Sequence, residues 1–237
     1  MKMQTPFGEE AIKIREQELL LIDKPLGWTS FDVIKKVRGL LKVKKVGHAG
    51  TLDPLASGLL LLGIGKGTKL LAKHQNLDKT YEGTLCLGKT TPSFDLETPF
   101  DSEKSYDHLK DSDLFAAREV FLGEQVQRPP LYSACKVKGV KAYTMARKGE
   151  KVLLAKRTVF IHDFDLTQIA WPFVDFTVVS SKGTYIRSLA HDFGQHLGVG
   201  AHLSALRRTH IGSSYKIEDA YTIAYLEKLF RKNIIKG

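Results

Sequence analysis

The chain has 237 residues, 43% of them hydrophobic, which is enough for a full core in one large domain or two small ones. Lys and Arg outnumber Asp and Glu by 36 to 26, and the net charge of +10 favours an anionic partner such as nucleic acid or an anionic membrane surface. No apolar run approaches the roughly 18 residues of a membrane-spanning helix, and the first residues lack the apolar core and cleavage site of a secretory signal. We therefore expect a cytoplasmic protein with no membrane association.

The spacing of helical and extended patterns predicts strands and helices that alternate without a regular βαβ rhythm. This interspersion is typical of the α+β class. The sequence contains no internal repeat and no low-complexity linker, so we take one domain as the starting expectation. In chain order, the first predicted elements are a strand over Leu19–Ile22, a helix over Ser30–Leu41 capped by Thr29 or Ser30, a loop over Lys42–Gly58 and a strand buried on both faces over Leu59–Ile64. A strand over Thr80–Gly88, a long excursion over 91–105, a helix over about Asp107–Phe121 and a short helix over Tyr143–Arg147 follow. The last two are a strand over 173–181, with Val174, Phe176 and Val178 on one side, and a helix from Ile186 that ends at Gly198.

Cysteine and histidine spacing argues against a metal centre. The two cysteines, Cys86 and Cys135, lie far apart and form no CxxC pair, so neither a disulfide framework nor a thiolate zinc site is expected. His191 and His196 are five residues apart on a predicted helix, beyond the i, i+4 spacing that brings two imidazoles onto one ion. We expect no metal, and nothing in the sequence suggests a cofactor.

Basic residues are concentrated in two segments. For any single lysine an ordinary solvated face is the better interpretation, but two separate runs in a basic chain favour a surface that binds a polyanion. The runs contain six basic residues between Val33 and Leu52 (Lys35, Lys36, Arg38, Lys42, Lys44 and Lys45) and eight between 136 and 157 (Lys136, Lys138, Lys141, Arg147, Lys148, Lys151, Lys156 and Arg157).

One carboxylate, Asp53, stands within the predicted loop, in "VGHAGTLDPLASG" between Gly50 and Gly58. Beside a nucleic-acid surface, such a carboxylate can act as a nucleophile or an electrostatic partner at a sugar C1′. A glycosidase normally needs a second carboxyl group to protonate its leaving group, but uracil can leave with its charge delocalised over its own carbonyl groups. The alternative is that Asp53 forms a turn or caps a helix, which is the commoner role for an arbitrary LDP segment.

Several long motifs resemble one family. The segment "GHAGTLDPLASGLL" resembles the signature of the bacterial tRNA pseudouridine-55 synthases of the TruB type, and further family motifs follow the same order, from about Leu19 to Gly212. They are "LLIDKPLGWTSFDVIKKVR", "DKTYEGTLCLG", "QRPPLYSACKVKGVKAYTMARKG", "SSKGTYIRSLAHDFGQHLG" and "LSALRRTHIG". The resemblance implies the α+β pseudouridine synthase fold, a curved, mixed or antiparallel central sheet with flanking helices and an RNA-binding cleft across it.

The resemblance also implies an isomerase that converts uridine-55 in the T-loop of tRNA to pseudouridine. The N1–C1′ bond breaks, the uracil turns while still bound, and C5 joins C1′. Whether Asp53 attacks C1′, attacks C6 or helps to remove the 2′-proton stays open. The base must be flipped out of the folded RNA, so we expect phosphate and stacking contacts to offset that cost.

Three residues match the catalytic positions of the family: Asp53 is the catalytic aspartate, Arg187 pairs with it, and Tyr81 stacks on the target base and is the candidate to take the C5 proton. The alternative for Tyr81 is an aromatic residue of the core. By the same resemblance, His48 helps to fill the space left by the extruded base, Tyr185 and Leu206 line the uracil pocket, and Lys24 supports the active-site loop.

The resemblance stops short of the longer family members. Many of these carry a C-terminal PUA domain, whereas only 25 residues follow Gly212 (237 − 212). We expect a single catalytic domain over 1–237, with its core at about 19–212 and no PUA domain, that recognises the T-arm of tRNA. We expect it to act as a monomer with no required protein partner.

Overall fold

A computed structural model describes residues 6–133, 135–137, 140–146 and 154–232. Within these ranges, no helix is both long and apolar enough to cross a membrane. The helices are α1 (Pro6–Glu16), α2 (Ser30–Leu41), α3 (Leu71–Gln75), α4 (Asp111–Val120), α5 (Ala142–Ala146), α6 (Ile186–His196) and α7 (Ile223–Lys232), with 3-10 turns at Gly65–Lys69 and Ile217–Asp219. The strands are β1 (Leu19–Lys24), β2 (Val46–His48), β3 (Ala56–Ile64), β4 (Lys79–Leu87), β5 (Lys89–Thr90), β6 (Ser102–Glu103), β7 (Gly123–Gln127), β8 (Lys136–Val137), β9 (Val140–Lys141), β10 (Arg157–Ala170), β11 (Phe173–Ser180), β12 (Ala201–Ile211), β13 (Tyr215–Lys216) and β14 (Tyr221–Thr222).

The chain forms two compact units, one from the residues up to Leu77 and from Arg207 onward, the other from Asp78–Leu206. In the first unit the strand order is β14-β1-β3, followed by residues 207–211 of β12; β14 runs parallel to β1, and β1 runs antiparallel to β3. In the second unit residues 201–206 of β12 are followed by β4-β11-β10-β7, in which the last three pairings are antiparallel. Parallel and antiparallel pairs and flanking helices make this an α+β protein with a mixed sheet, as predicted. The single catalytic domain over 1–237 stays a prediction.

Strand β3 carries the core of the first unit on both of its faces, as its continuous apolar sequence predicts. Leu60 and Leu62 join the cluster formed by α1, α2 and α7, whereas Leu59 and Leu61 belong to a second cluster on the opposite face. All four side chains are fully buried, so the strand that follows Asp53 is firmly fixed.

Alternation along β11 builds the core of the second unit. Val174, Phe176 and Val178 are buried, as predicted. Phe164 of β10 makes edge-to-face contacts with both Phe176 and Phe193 of α6, at centroid distances of 5.7 Å. These contacts hold α6, and with it the residues at its N-terminus, against the sheet.

The predicted helix over Ser30–Leu41 is confirmed at both ends, and Thr29 is its cap. The Thr29 Oγ1 accepts from the Asp32 amide at 3.0 Å, and the Asp32 carboxylate accepts from the Thr29 amide at 2.9 Å. Each of these bonds satisfies an amide that the helix itself leaves open.

Other predicted boundaries need correction. The predicted loop over 42–58 begins where expected, after Leu41, but β2 interrupts it by pairing with β3 (Val46 with Ile64), and it ends early because β3 begins at Ala56. The helix predicted from Asp107 begins at Asp111, since Ser105 and Asp107 bond to each other in a local turn. The short helix predicted over Tyr143–Arg147 lies at Ala142–Ala146, with Arg147 outside the described residues. Beyond Gly212 the described residues form β13, the 3-10 turn at Ile217–Asp219, β14 and α7.

Candidate active site

Asp53 lies in a tight loop between β2 and β3, with a half-buried side chain. Glycines stand at both sides of the loop, Gly50 with φ of 104° and Gly58 with φ of 103°, in the region that side chains disfavour. A Cβ atom at Gly58 would lie 2.3 Å from the backbone oxygen of Arg208, so only glycine allows β3 to approach β12 so closely. These glycines hold the ends of the loop on the sheet.

The buried guanidinium of Arg208 ties these ends together. Its Nε donates to the carbonyl of Leu59 at 2.7 Å, and its Nη2 donates to the carbonyl of Gly50 at 3.1 Å. Arg208 is only 1% exposed, and the planar fork suits two carbonyls on either side of Asp53. Arg208 was not among the residues predicted from the sequence; the signal for it was Gly58, whose missing side chain marks the close approach of another strand.

Ser30 fixes the peptide that carries Asp53. Its Oγ accepts from the amide of Leu52 at 2.9 Å and donates to the carbonyl of Leu52 at 3.1 Å. Ser30 was one of two predicted caps of α2, but Thr29 fills that role and leaves the Ser30 hydroxyl for the loop. The role of Ser30 in the loop was also missed.

Lys24 is a buried cation beside the same loop. Its Nζ donates to the carbonyls of Pro25 at 3.0 Å and Trp28 at 2.5 Å, which holds the turn after β1. Burial lowers the pKa of Lys24 to about 8; the charge of Asp53 opposes this shift and that of Arg208 adds to it. The carboxylate and the ammonium therefore interact electrostatically, and the supporting role predicted for Lys24 agrees with its two carbonyl partners.

His48 ends β2, opposite Leu62 of β3. Burial, helped by the positive charge of Arg208, lowers the pKa of His48. The imidazole is therefore neutral at pH 7, a form that suits contact with a base better than with a phosphate.

Arg187, in the first turn of α6, is buried among polar partners of the second unit. Its Nη1 donates to the carbonyl of Ser93 at 3.0 Å and its Nη2 to that of Tyr132 at 2.9 Å. Its Nη1 also lies 3.4 Å from the Asp95 carboxylate, and both side chains are almost fully buried. Arg187 was predicted from the sequence, whereas its partner Asp95 was not.

Asp95 belongs to a closely bonded loop inside the predicted excursion over 91–105. The Oγ1 of Thr91 donates to the Asp95 carbonyl at 2.6 Å, and an oxygen of the Asp95 carboxylate accepts from the Glu97 amide at 2.9 Å. The loop is therefore built to present a carboxylate and a carbonyl to Arg187.

The remaining predicted residues of the second unit lie on two strands and just before one helix. Tyr81 lies on β4 opposite Val178 and is 8% exposed, so it is also an aromatic residue of the sheet's core. The backbone of Tyr185, just before α6, exchanges two hydrogen bonds with the side chain of buried Gln127, and the Arg157 guanidinium lies 5.0 Å from its ring. Leu206 is half-buried on β12.

The structure thus brings the predicted residues together in two sets. The first set belongs to the first unit and lies on or beside one loop; it consists of Lys24, His48 and Asp53. Tyr81, Tyr185, Arg187 and Leu206 belong to the second. The pairing of Arg187 with Asp53 stays a prediction.

The first basic run belongs to the same unit as the first set. Most of Lys35–Lys45 is exposed on α2 and the loop that follows, although Lys36 pairs with Glu227 of α7. Most side chains of the second basic run, over 136–157, lie outside the described residues.

The fold is that of the pseudouridine synthases. The described chain matches Cbf5 in a solved Cbf5-Nop10-Gar1 complex with a TM-score of 0.71 at 30% identity, over 93% of this chain and 60% of that one. It matches Cbf5 in an archaeal box H/ACA sRNP Nop10-Cbf5 complex with a TM-score of 0.69 at 26% identity, over 93% and 56%. The chain therefore spans somewhat more than half of each of these structures.

The sequence belongs to the TruB family of pseudouridylate synthases. The model of the family's N-terminal domain matches residues 38–186, and that of the tRNA pseudouridylate synthase B C-terminal domain matches 187–235. Proteins named tRNA pseudouridine synthase B include relatives from Flavobacterium johnsoniae, 48% identical over 90% of this chain and 96% of the relative, and from Opitutus terrae, 46% identical over 89% and 87%.

Proposed function

We propose that this protein converts uridine to pseudouridine in tRNA, at position 55 of the T-loop, and that Asp53 is its catalytic carboxylate. The observation that carries the proposal is the construction of the Asp53 loop. Gly50 and Leu59 are held from one side by Arg208, and Leu52 is held from the other by Ser30. A turn-forming aspartate needs no such support, whereas a reacting carboxylate must be held within a fraction of an ångström.

The proposed reaction conserves every atom of the nucleoside. The N1–C1′ bond breaks, the uracil leaves with its charge spread over its carbonyl groups, and it turns within the pocket. C5 then bonds to C1′, the proton on C5 passes to a base, for which Tyr81 is the candidate, and N1 takes up a proton in its place. Asp53 acts at the sugar or at C6, and the chemistry needs no metal or cofactor.

The surrounding residues have distinct proposed tasks. Arg187 orients Asp53 with its guanidinium fork, as its own rigid anchorage to Ser93, Tyr132 and Asp95 would allow. Neutral His48 occupies the space left by the flipped base. Tyr185 and Leu206 line the uracil pocket.

The proposed partner is the T-arm of tRNA, bound by one chain without a protein partner in the cytoplasm. The exposed lysines of α2 and the loop after it provide the charge for phosphate contacts. The matched Cbf5 chains were solved with partner proteins, but the tRNA pseudouridine synthase B relatives are similar to this chain over almost their whole length. That extent favours action without such partners.

The direct test is to incubate the full chain with an unmodified tRNA transcript and to map the product by carbodiimide treatment and primer extension. The proposal expects one new stop, at the nucleotide next to position 55, and no change in RNA mass. An abasic site would instead assign the protein to base-removing glycosidases. Tight binding with no modification would assign it to the RNA chaperones.

A further inference from the structure

A groove along α2 takes no part in the chemistry proposed above. Its volume is about 630 Å³, within the range of roughly 300–1,000 Å³ that is common for ligand sites. It is lined by Gly27, Trp28, Asp32, Lys35, Lys36, Gly39 and Leu40.

The groove is open because residue 39 is glycine. Gly39 lies inside α2, where glycine is the poorest helix former after proline. A Cβ atom built there would meet nothing within 4 Å, so packing inside the protein does not require the missing side chain. A larger side chain at this position would extend into the groove, so glycine leaves the groove open to a ligand.

The lining suits a nucleotide. Trp28 and Leu40 are partly buried and pack against the core cluster of α1, α2 and α7, so they form a fixed apolar wall. Lys35 is exposed, whereas Lys36 is half-buried and pairs with Glu227 of α7. The carboxylate of Asp32 is occupied by the cap of α2, where it accepts from the backbone and the hydroxyl of Thr29. A fixed aromatic wall beside the exposed ammonium group of Lys35 favours a base with its phosphate.

The groove adjoins the Asp53 loop through a shared residue. Trp28 also lines a second hollow of about 450 Å³, whose other residues include Lys24 and Ser57. The amide of Gly27 donates to the carbonyl of Pro54 at 2.8 Å, which ties this segment to the loop. An RNA strand that reaches Asp53 can therefore continue across Trp28.

We propose that this groove holds a second nucleotide of the RNA substrate, distinct from the uridine that is isomerised. Its base packs on Trp28 and Leu40, and its phosphate lies near Lys35. The proposal rests on the proposed function, because that function is what places RNA at the neighbouring loop.

The test compares Gly39→Leu, which fills the groove, with Gly39→Ala and the wild-type chain. The probe is an unmodified tRNA transcript, with Kd measured by filter binding and the rate measured in single turnovers. Gly39→Leu should raise Kd about tenfold, as expected when a stacked base is lost, and lower kcat/KM by the matching factor. Gly39→Ala should raise Tm, because alanine favours the helix, while it weakens tRNA binding. Opposite effects on stability and binding separate a ligand site from a structural role.

Two further variants complete the design. Ala116→Leu adds the same exposed side chain to α4, outside the groove, and should bind tRNA as the wild type does. Lys35→Gln should lower the slope of log Kd against log salt by roughly 0.7–0.9, the effect of one phosphate contact.

If Gly39→Leu binds tRNA with wild-type affinity, the groove proposal is overturned, whereas the proposed function is unaffected. A wild-type chain that forms no pseudouridine, combined with weak RNA binding by Gly39→Leu, would overturn the proposed function and support the groove. If Gly39→Leu does not fold, Gly39→Ala and Lys35→Gln decide the question, and unchanged binding in both would overturn the proposal.

Discussion

The hydroxyl of Ser30 bonds to both the amide and the carbonyl of Leu52, at 2.9 and 3.1 Å. The carbonyl belongs to the peptide bond that leads into Asp53, so one buried side chain sets the orientation of that peptide. Because Ser30 is the first residue of α2 and α2 is packed into the core, the catalytic loop takes its position from the helix.

Replacing Ser30 with alanine should slow the reaction more than it weakens RNA binding. The variant leaves both polar groups of Leu52 buried without this hydroxyl, which costs about 1–3 kcal/mol of stability. A shift of Asp53 by about 1 Å can lower the rate up to about 100-fold. Single-turnover rates, tRNA Kd and urea unfolding would measure the three effects, with exposed Ser112→Ala as the control. An unchanged rate in Ser30→Ala would show that Asp53 does not depend on this contact.

Removing the charge of Arg208 should raise the pKa of His48. The guanidinium disfavours the protonated imidazole, so Arg208→Met relieves that effect, whereas Arg208→Lys keeps the charge and most of the lowered pKa. NMR titration of the His48 ring would measure the shift. The neighbouring Arg207→Met removes a cation that pairs with Asp23 and should leave the titration unchanged. Equal pKa values in the wild type and Arg208→Met would contradict this account.

Stability should rise with pH where Lys24 loses its proton in the folded chain. Burial lowers its pKa from 10.5 to about 8, so between these values the unfolded chain binds the proton more readily than the folded one. The free energy of unfolding therefore increases over that interval, and Lys24→Met lacks the increase. Urea unfolding of both proteins from pH 7 to 9.5 would measure it. Parallel curves for the two proteins would refute the lowered pKa.

The buried pair of Arg187 and Asp95 should matter far more than an exposed pair of similar length. Asp95→Asn removes one carboxylate from beside a buried guanidinium, which costs up to about 3–5 kcal/mol, and it should slow pseudouridine formation by loosening Arg187. Arg118 and Asp165 lie 3.3 Å apart on the surface, so Asp165→Asn is the matched control, with an expected cost of at most about 1 kcal/mol. Thermal unfolding and single-turnover rates would compare them. Similar losses in the two variants would count against a special role for Asp95.

Local patterns predicted the elements whose causes are local. The helix α2 was predicted at both ends because Thr29, Asp32 and the apolar spacing all lie within one short segment. Strand β3 was predicted as buried on both faces from its run of leucines, although its start at Ala56 depends on pairing with β1.

The supports of the site were missed because their partners are distant in sequence. Arg208 bonds to residues 149 and 158 positions away, and Arg187 bonds to the Ser93 carbonyl 94 positions away. Asp95 looked like one more acidic residue of a surface excursion, since nothing near it in the sequence marks a buried arginine. The catalytic role of Asp53 was predicted from the family motif. Without that motif, the neighbouring residues made a turn-forming role the commoner interpretation.

The most direct test of the central proposal is the activity of Asp53→Asn on unmodified tRNA. The amide keeps the size of the side chain, and the loop keeps its bonds to Arg208 and Ser30, so tRNA should bind with nearly wild-type Kd while pseudouridine formation falls below detection. Pseudouridine formed by the purified variant at a rate near that of the wild type would contradict the assignment of Asp53.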